Sequence, residues 1–209
     1  MSVLTQWGYT ITDRDSLPVM MSVDDFNVYT GDKYAQESTD RIEAEIGAAC
    51  GAIRNFVGWH LYPSASCEAQ MTMQDRRVTR VGCDMLIQLP AKFVTAVESV
   101  TVNGVSHEFT FETNGLLRVY DVSYDGVQRY SRVIVTYTAG LTDELMAPIQ
   151  ELIAHRVTHS VAVPSGITSE ASGGVSVTYN AAWINNARAT ALPGDNKEML
   201  TPYRVQGVF

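Results

Sequence analysis

The chain has 209 residues and 45% of them are hydrophobic, enough to bury a core in one domain or in one domain that carries an inserted lobe. No stretch approaches the roughly eighteen apolar residues that a bilayer-spanning helix needs, so no membrane segment is expected. The net charge is −8, the wrong sign for gripping phosphates, so direct binding of DNA is not expected either.

The first elements have clear local signals. Residues 1–21 show no periodicity and are expected to form an extended N-terminal arm. Ser22 and Asp25 form a capping box, and Gly31 is well placed to end a helix, so a short helix is predicted over roughly 23–30.

A longer helix is predicted from about Asp40 to Gly58. Asp40 and Glu43 lie in its first turns, where the helix dipole favours acids. Apolar residues then recur at three- and four-residue spacing, which indicates one buried face. These residues are Ile42, Ile46, Ala49, Cys50, Ile53, Phe56 and Val57.

The same helix has a second face of small residues. It consists of Ala44, Gly47, Ala48, Gly51 and Ala52. Each glycine in a helix costs about 1 kcal/mol relative to alanine, so the close approach of another backbone is the expected compensation. That backbone belongs either to another helix of this chain or to a neighbouring subunit, which makes Ala44, Gly47, Ala48 and Gly51 the candidates for a subunit interface.

The middle third has the period of two that is typical of strands. Asn103-Gly104 separates two alternating runs and predicts a tight hairpin, and Asn114-Gly115 predicts a second turn. A last strand is expected over 132–137, after the Asp125-Gly126 turn. An antiparallel lobe of about five to seven strands is therefore predicted.

After the lobe, Thr142 is expected to cap a helix that begins at Asp143, with Pro148 tolerated in its first turns. Residues 166–174 are expected to be a flexible loop and Val175–Tyr179 a short strand. The last residues, 183–209, hold a weakly helical stretch and a proline-punctuated tail.

The order of elements predicts an α+β fold, a small helical bundle with an inserted antiparallel β lobe and extended N- and C-terminal arms. In residue numbers, the N-terminal arm is 1–21 and the helical core is 22–62 with 141–163. The inserted lobe is 63–140, and residues 164–209 hold the loop, the short strand and a C-terminal arm.

The sequence offers no constellation for catalysis. His155 and His159 are four apart on a predicted helix, a spacing that can bring two imidazoles to one metal, but no third ligand is apparent. No phosphate-binding glycine loop or nucleophile elbow occurs. Cys50, Cys67 and Cys83 are odd in number and widely spaced, which favours reduced thiols. A protein that is not an enzyme, without a metal or cofactor, is expected.

Four passages in order resemble the head–tail connector (head-completion adaptor) proteins of tailed bacteriophages. They are residues 17–26 followed by Gly31; residues 42–58, ending in Phe56-Val57-Gly58; residues 97–105 with 133–141; and residues 173–179 with 200–204.

The resemblance implies a homo-oligomeric ring of about twelve copies in the neck of the virion, made in the host cytoplasm. The ring would lie between the portal and a stopper or tail-completion protein, and DNA would pass through its lumen without specific binding. It also implies that the C-terminal segment docks on the portal, with Leu200, Pro202, Tyr203, Arg204 and Phe209 as the docking residues. Deleting residues 198–209 is then expected to leave the fold intact and to abolish attachment to portals.

Two alternatives stay open. Another neck or tail protein, such as a stopper or tail terminator, would be indicated by mostly β structure. An enzyme or a host ligand-binding domain that uses the lobe as a cup would be indicated by a buried polar pocket.

Overall fold

The computed structural model of the chain describes residues 3–122, 131–162, 169–172, 175–178 and 194–205. The predicted α+β class is confirmed, because an antiparallel lobe lies in the chain between helical segments. Within these ranges the helices are α1 (Val23–Thr30), α2 (Thr39–Val57), α3 (Ala147–Ala162) and α4 (Gly194–Leu200), with 3-10 turns at Asp143–Leu145 and Thr201–Tyr203. The strands are β1 (Val3–Leu4), β2 (Tyr9–Ile11), β3 (Ala65–Thr72), β4 (Val78–Val81), β5 (Asp84–Gln88), β6 (Val94–Val102), β7 (Val105–Ser106), β8 (Phe109–Phe111), β9 (Leu116–Val119), β10 (Arg132–Ala139), β11 (Ser169–Ser172) and β12 (Val175–Thr178).

The chain divides into two compact units. Unit 1 contains Met1–Pro18, Val57–Asp143 and Tyr203–Phe209, and unit 2 contains Val19–Phe56 and Glu144–Pro202. Unit 1 therefore takes in more than the predicted lobe of residues 63–140, because both chain-terminal segments belong to it.

Unit 1 is built on two antiparallel sheets. The larger has six strands in the order β1-β2-β3-β10-β6-β7, and the smaller has four in the order β4-β5-β9-β8. The predicted hairpin at Asn103-Gly104 joins β6 and β7, with Val102 opposite Val105. Asn103 and Gly104 both have positive φ, as a two-residue turn of this kind requires.

The predicted N-terminal arm is extended and belongs to the larger sheet. Tyr9 pairs with Ala69 and Ile11 with Cys67, so β2 lies along β3. Residues 3–11 contain too few alternating positions to predict two strands from the sequence alone, and their pairing depends on a partner more than fifty residues away.

The core of unit 1 lies on one face of the larger sheet. Along β3 and β10 every second residue is buried, as expected for a sheet with one covered face. Those residues are Ala65, Cys67, Ala69, Met71, Val133, Val135, Tyr137 and Ala139.

Unit 2 contains the helices. The Ser22 hydroxyl accepts from the backbone N–H of Asp25 and the Asp25 side chain accepts from that of Ser22, so the predicted capping box begins α1, and Gly31 ends it in the left-handed conformation. Helix α3 begins at Ala147, later than predicted, and the residues after Thr142 form a 3-10 turn instead. Pro148 explains this start, because proline suits the first turn of a helix, where its missing N–H costs nothing.

The segment after α3 contains more strand than predicted. Within the residues expected to be a flexible loop, 169–172 form β11, which pairs antiparallel with β12, from Ser169 opposite Thr178 to Ser172 opposite Val175. Within the described ranges, none of the helices has the length and apolar character needed to cross a membrane.

Candidate assembly surfaces

Helix α2 presents its small residues outward. Ala44, Gly47 and Ala48 are exposed and Gly51 is half-buried. The fifth small residue of the predicted face, Ala52, is buried instead. The apolar stripe of the same helix is covered: Ile42, Ile46, Ala49, Cys50 and Ile53 are all buried. The three- and four-residue periodicity therefore separates an inner face from an outer one, and we call Ala44, Gly47, Ala48 and Gly51 the α2 small-residue face.

No described part of this chain approaches the two glycines of that face. Apart from its chain neighbours and the backbone of α2 itself, a Cβ atom added at Gly47 or at Gly51 would meet no atom within 4 Å among the residues that the structure describes. The close intramolecular approach that would explain a helical glycine is therefore not made by this part of the chain. Each glycine costs about 1 kcal/mol of helix stability without a compensating contact.

The predicted docking residues of the C-terminal segment fall into two groups. Leu200 is fully buried at the end of α4, whereas Pro202 and Arg204 are exposed. The Tyr203 ring stacks on Phe93 at a centroid distance of 5.7 Å. Phe209 lies outside the described residues.

The backbone of this segment is held by unit 1. The indole Nε1–H of Trp59 donates to the Tyr203 carbonyl at 2.7 Å, and the Val205 N–H donates to the Val57 carbonyl at 3.0 Å. Trp59 is fully buried and Val205 nearly so. Residues 203–205 are therefore part of the folded unit, and the expectation that deleting 198–209 leaves the fold intact does not agree with these contacts.

Trp59 also belongs to a row of stacked rings that the sequence did not predict. Phe93 lies 6.3 Å from Trp59 at an angle of 14°, between Trp59 and Tyr203. On the other side, Trp59 meets His60 edge-on at 5.3 Å, and His60 meets Tyr9 at 5.8 Å. The row connects the N-terminal strand, the residues after α2 and the C-terminal segment.

His60 is the most enclosed polar side chain of this row. Its Nε2 lies 3.0 Å from the carbonyl oxygens of both Pro63 and Ala139, which only accept, so Nε2 carries the proton. In the neutral ring Nδ1 then accepts from the Tyr9 hydroxyl at 2.7 Å, and that hydroxyl accepts from the His60 backbone N–H at 2.9 Å. Every polar atom of the pair has a structural partner, so the arrangement serves the fold.

The two histidines of α3 lie together, as their spacing predicts. The rings of His155 and His159 are 5.0 Å apart, and burial, with a smaller effect of His155, lowers the pKa of His159. Among the residues that the structure describes, no group of three or more potential ligands is assembled around a metal position. This pair alone does not define a metal centre.

The three thiols differ in exposure. Cys83 is exposed at the turn between β4 and β5, whereas Cys50 and Cys67 are buried. Burial raises the pKa of Cys67 to about 12 and also raises that of Cys50. Both buried thiols are therefore held in the protonated form, in which they are poor nucleophiles.

Sequence comparisons give no assignment. No protein-family model matches the chain, and no curated protein matches it in sequence. Among solved structures, the chain is similar to one in the neck of an empty gene transfer agent (GTA) particle, computed with C6 symmetry. The similarity covers 88% of this chain and 97% of the other, with 16% sequence identity and a TM-score of 0.49. At this level of similarity, function has to be argued from the residues of the chain itself.

Proposed function

We propose that the chain is a structural subunit of a phage virion neck, an adaptor that forms a ring of about twelve copies between portal and tail. The observation that carries the proposal is the α2 small-residue face. Three of its four residues are exposed, and its two glycines are not explained by contacts with the described residues of the chain. A neighbouring subunit that packs closely against α2 would explain both glycines.

The helices favour an adaptor over a stopper or tail terminator, which mostly β structure would indicate. Helices α2 and α3 span 19 and 16 residues, and the passages that resemble the adaptor family include α1, α2 and the lobe strands β6 and β10.

The proposed role is non-catalytic and needs no metal or cofactor. The net charge of −8 suits a channel wall along which DNA moves without adhering, because acidic surfaces repel phosphates. The protein would be made in the host cytoplasm and would end in the neck of the virion.

The C-terminal segment is proposed to contact the portal through its exposed side chains, Pro202 and Arg204. Leu200 and Tyr203 would act indirectly, because Leu200 is buried and the Tyr203 backbone is held by Trp59. The opposite rim of the ring would meet a stopper or tail-completion protein.

A size series at Gly51 tests the ring. Gly51→Ala adds one methyl group where no described atom outside the backbone of α2 and the neighbouring residues lies within 4 Å, and Gly51→Leu adds a bulky side chain at the same place. We expect both variants to melt at or above the temperature of the parent chain, and the leucine variant to lose ring formation on purified portals in electron micrographs. A large fall in melting temperature for Gly51→Leu would show that the face is internal, and intact rings would show that it is not a subunit contact.

A further inference from the structure

The four-stranded sheet of unit 1 ends in two unlike edges. Strand β4 forms one edge and β8 the other. Each neighbouring pair in this sheet is antiparallel, so β4 and β8 run in opposite directions. A β4 strand from a second copy, placed beside β8 in the same sense, would continue the antiparallel alternation.

Hydrogen bonds define which backbone groups face the β8 edge. The Glu108 carbonyl accepts from the Tyr120 N–H at 2.9 Å, and the Glu112 N–H donates to the Leu116 carbonyl at 2.8 Å. Partners alternate along an antiparallel pair, so the N–H and C=O groups of Phe109 and Phe111 point away from β9 and toward the edge.

The β4 edge follows the same logic. The Gln88 N–H donates to the Arg77 carbonyl at 2.8 Å, so Arg77 is hydrogen-bonded to the β5 side. Every second residue along β4 is bonded in this way, and the next one is Thr79. The N–H and C=O of Arg80, and the C=O of Val78, therefore face outward.

The charges of the two edges are opposite. Glu108 and Glu112 flank β8 and are both exposed, whereas Arg76 and Arg80 lie before and within β4 and are also exposed. Apolar surface accompanies both edges, since Val81 is 49% exposed and Phe111 37%. Two β8 edges brought together would oppose like charges, which disfavours pairing of identical edges.

We propose that β4 of one copy pairs antiparallel with β8 of the next copy, with Arg80 opposite Phe109 and Val78 opposite Phe111. This register joins the outward backbone groups of both edges. It also places the residues that meet across the contact on the same face of the sheet. Val78 and Arg80 lie opposite Ile87 and Met85, which lie opposite Leu117 and Val119. These in turn lie opposite Phe111 and Phe109, so all eight residues share one face.

The contact joins two different surfaces, so it propagates from copy to copy and closes only as a ring. The edge contact therefore rests on the proposed ring. Its two strands belong to unit 1, whereas the α2 small-residue face belongs to unit 2. The larger sheet is a weaker candidate for such pairing, because its edge strands β1 and β7 have two residues each.

Cysteine cross-linking tests the register. Thr79 and Thr110 are exposed and would face each other as a non-hydrogen-bonded pair, the pair with the closer side chains. Within one copy they lie at opposite edges of the sheet, about 14 Å apart, too far for a disulfide. The background is Cys83→Ser, which removes the exposed native thiol.

Oxidation of the concentrated Thr79→Cys/Thr110→Cys chain is expected to give a ladder of covalent multimers that reduction collapses. A mixture of the two single variants should stop at covalent dimers, and each single variant alone should stay monomeric. Absence of the mixed dimer would overturn the edge contact. A ladder that grows into open filaments would support the edge contact and contradict the ring, so the two failures are distinguishable.

Discussion

The two units differ in what their sequences explain. In unit 1 the largest side chains are used internally: Trp59, Tyr9 and Tyr137 are essentially inaccessible and come from three distant segments. In unit 2 the longest helix has Ala44, Gly47 and Ala48 exposed on one face. Unit 1 is therefore explained by its own packing, whereas no contact with the described residues explains the two glycines of the α2 small-residue face.

Charge follows the same division. Unit 2 contains twelve acidic and six basic residues, a net charge of −6, and unit 1 contains eleven acidic and nine basic residues, a net charge of −2. Copies that meet through unit 2 therefore repel one another more strongly than copies that meet through unit 1, where the β4 and β8 edges have opposite signs. Substitutions that change folding stability and assembly differently test this comparison between the two units.

The largest effect on stability is expected at Trp59. Trp59→Phe leaves a cavity beside Phe93 and removes the donor to the Tyr203 carbonyl, so a loss of about 3 kcal/mol in the free energy of unfolding is expected from urea denaturation. Tyr203→Phe is the matched control, because it keeps both the stacked ring and the backbone carbonyl and should change stability by less than about 0.5 kcal/mol. Equal effects of the two variants would contradict the account of this segment.

A pair of tyrosines with rings 6.3 Å apart should respond with opposite signs. Tyr9→Phe removes the two hydrogen bonds with His60 and should destabilise the chain by about 2 kcal/mol. The Tyr137 hydroxyl is fully buried and has no hydrogen-bond partner among the described residues, so Tyr137→Phe should stabilise by about 1 kcal/mol. Thermal denaturation of both variants measures the signs, and a destabilised Tyr137→Phe chain would mean that its hydroxyl is satisfied.

In unit 2, adding one methyl group to the α2 small-residue face should not destabilise the isolated chain. Gly47→Ala places a methyl group in open surroundings and improves helix propensity, so the isolated chain should gain up to about 1 kcal/mol. The same variant should assemble on portals less well than the parent chain if a neighbouring backbone lies against Gly47. Ala49→Gly is the converse control, because Ala49 is buried on the opposite face and its loss should only destabilise.

Elements with local signals were predictable from the sequence. The capping box of Ser22 and Asp25, the left-handed end at Gly31 and the turn at Asn103-Gly104 all act within a few residues, so their patterns predict α1 and the β6–β7 hairpin correctly. The outward face of α2 was predictable for the same reason, because the periodic apolar residues define the buried face of the helix and therefore also the exposed face opposite it.

Contacts between distant residues were not predictable in this way. His60 and Tyr9 are 51 positions apart, and Trp59 and Tyr203 are 144 apart. No periodicity links such residues, so the sequence assigned Tyr9 to an arm and Tyr203 to a docking segment. Only the pairing of β2 with β3, and the position of the last turn against Trp59, give these side chains their structural roles.

The smallest expected effect is at the start of α1. Hydrogen bonds from the Ser22 hydroxyl, and then from the Ser22 backbone, lower the pKa of Asp25 in the folded chain. A lowered folded pKa means that the carboxylate stabilises the fold above its unfolded value and loses this contribution as the pH falls through the folded value. Solvent screens this exposed carboxylate, so Asp25→Ala should cost only a small amount of stability at neutral pH, and the difference from the parent chain should shrink as the pH falls below about 4. Asp24→Ala is the control, because Asp24 lies in the same first turn but outside the capping box, and it should cost less stability. If the effect of Asp25→Ala does not vary with pH, it comes from helix propensity and not from the charged cap.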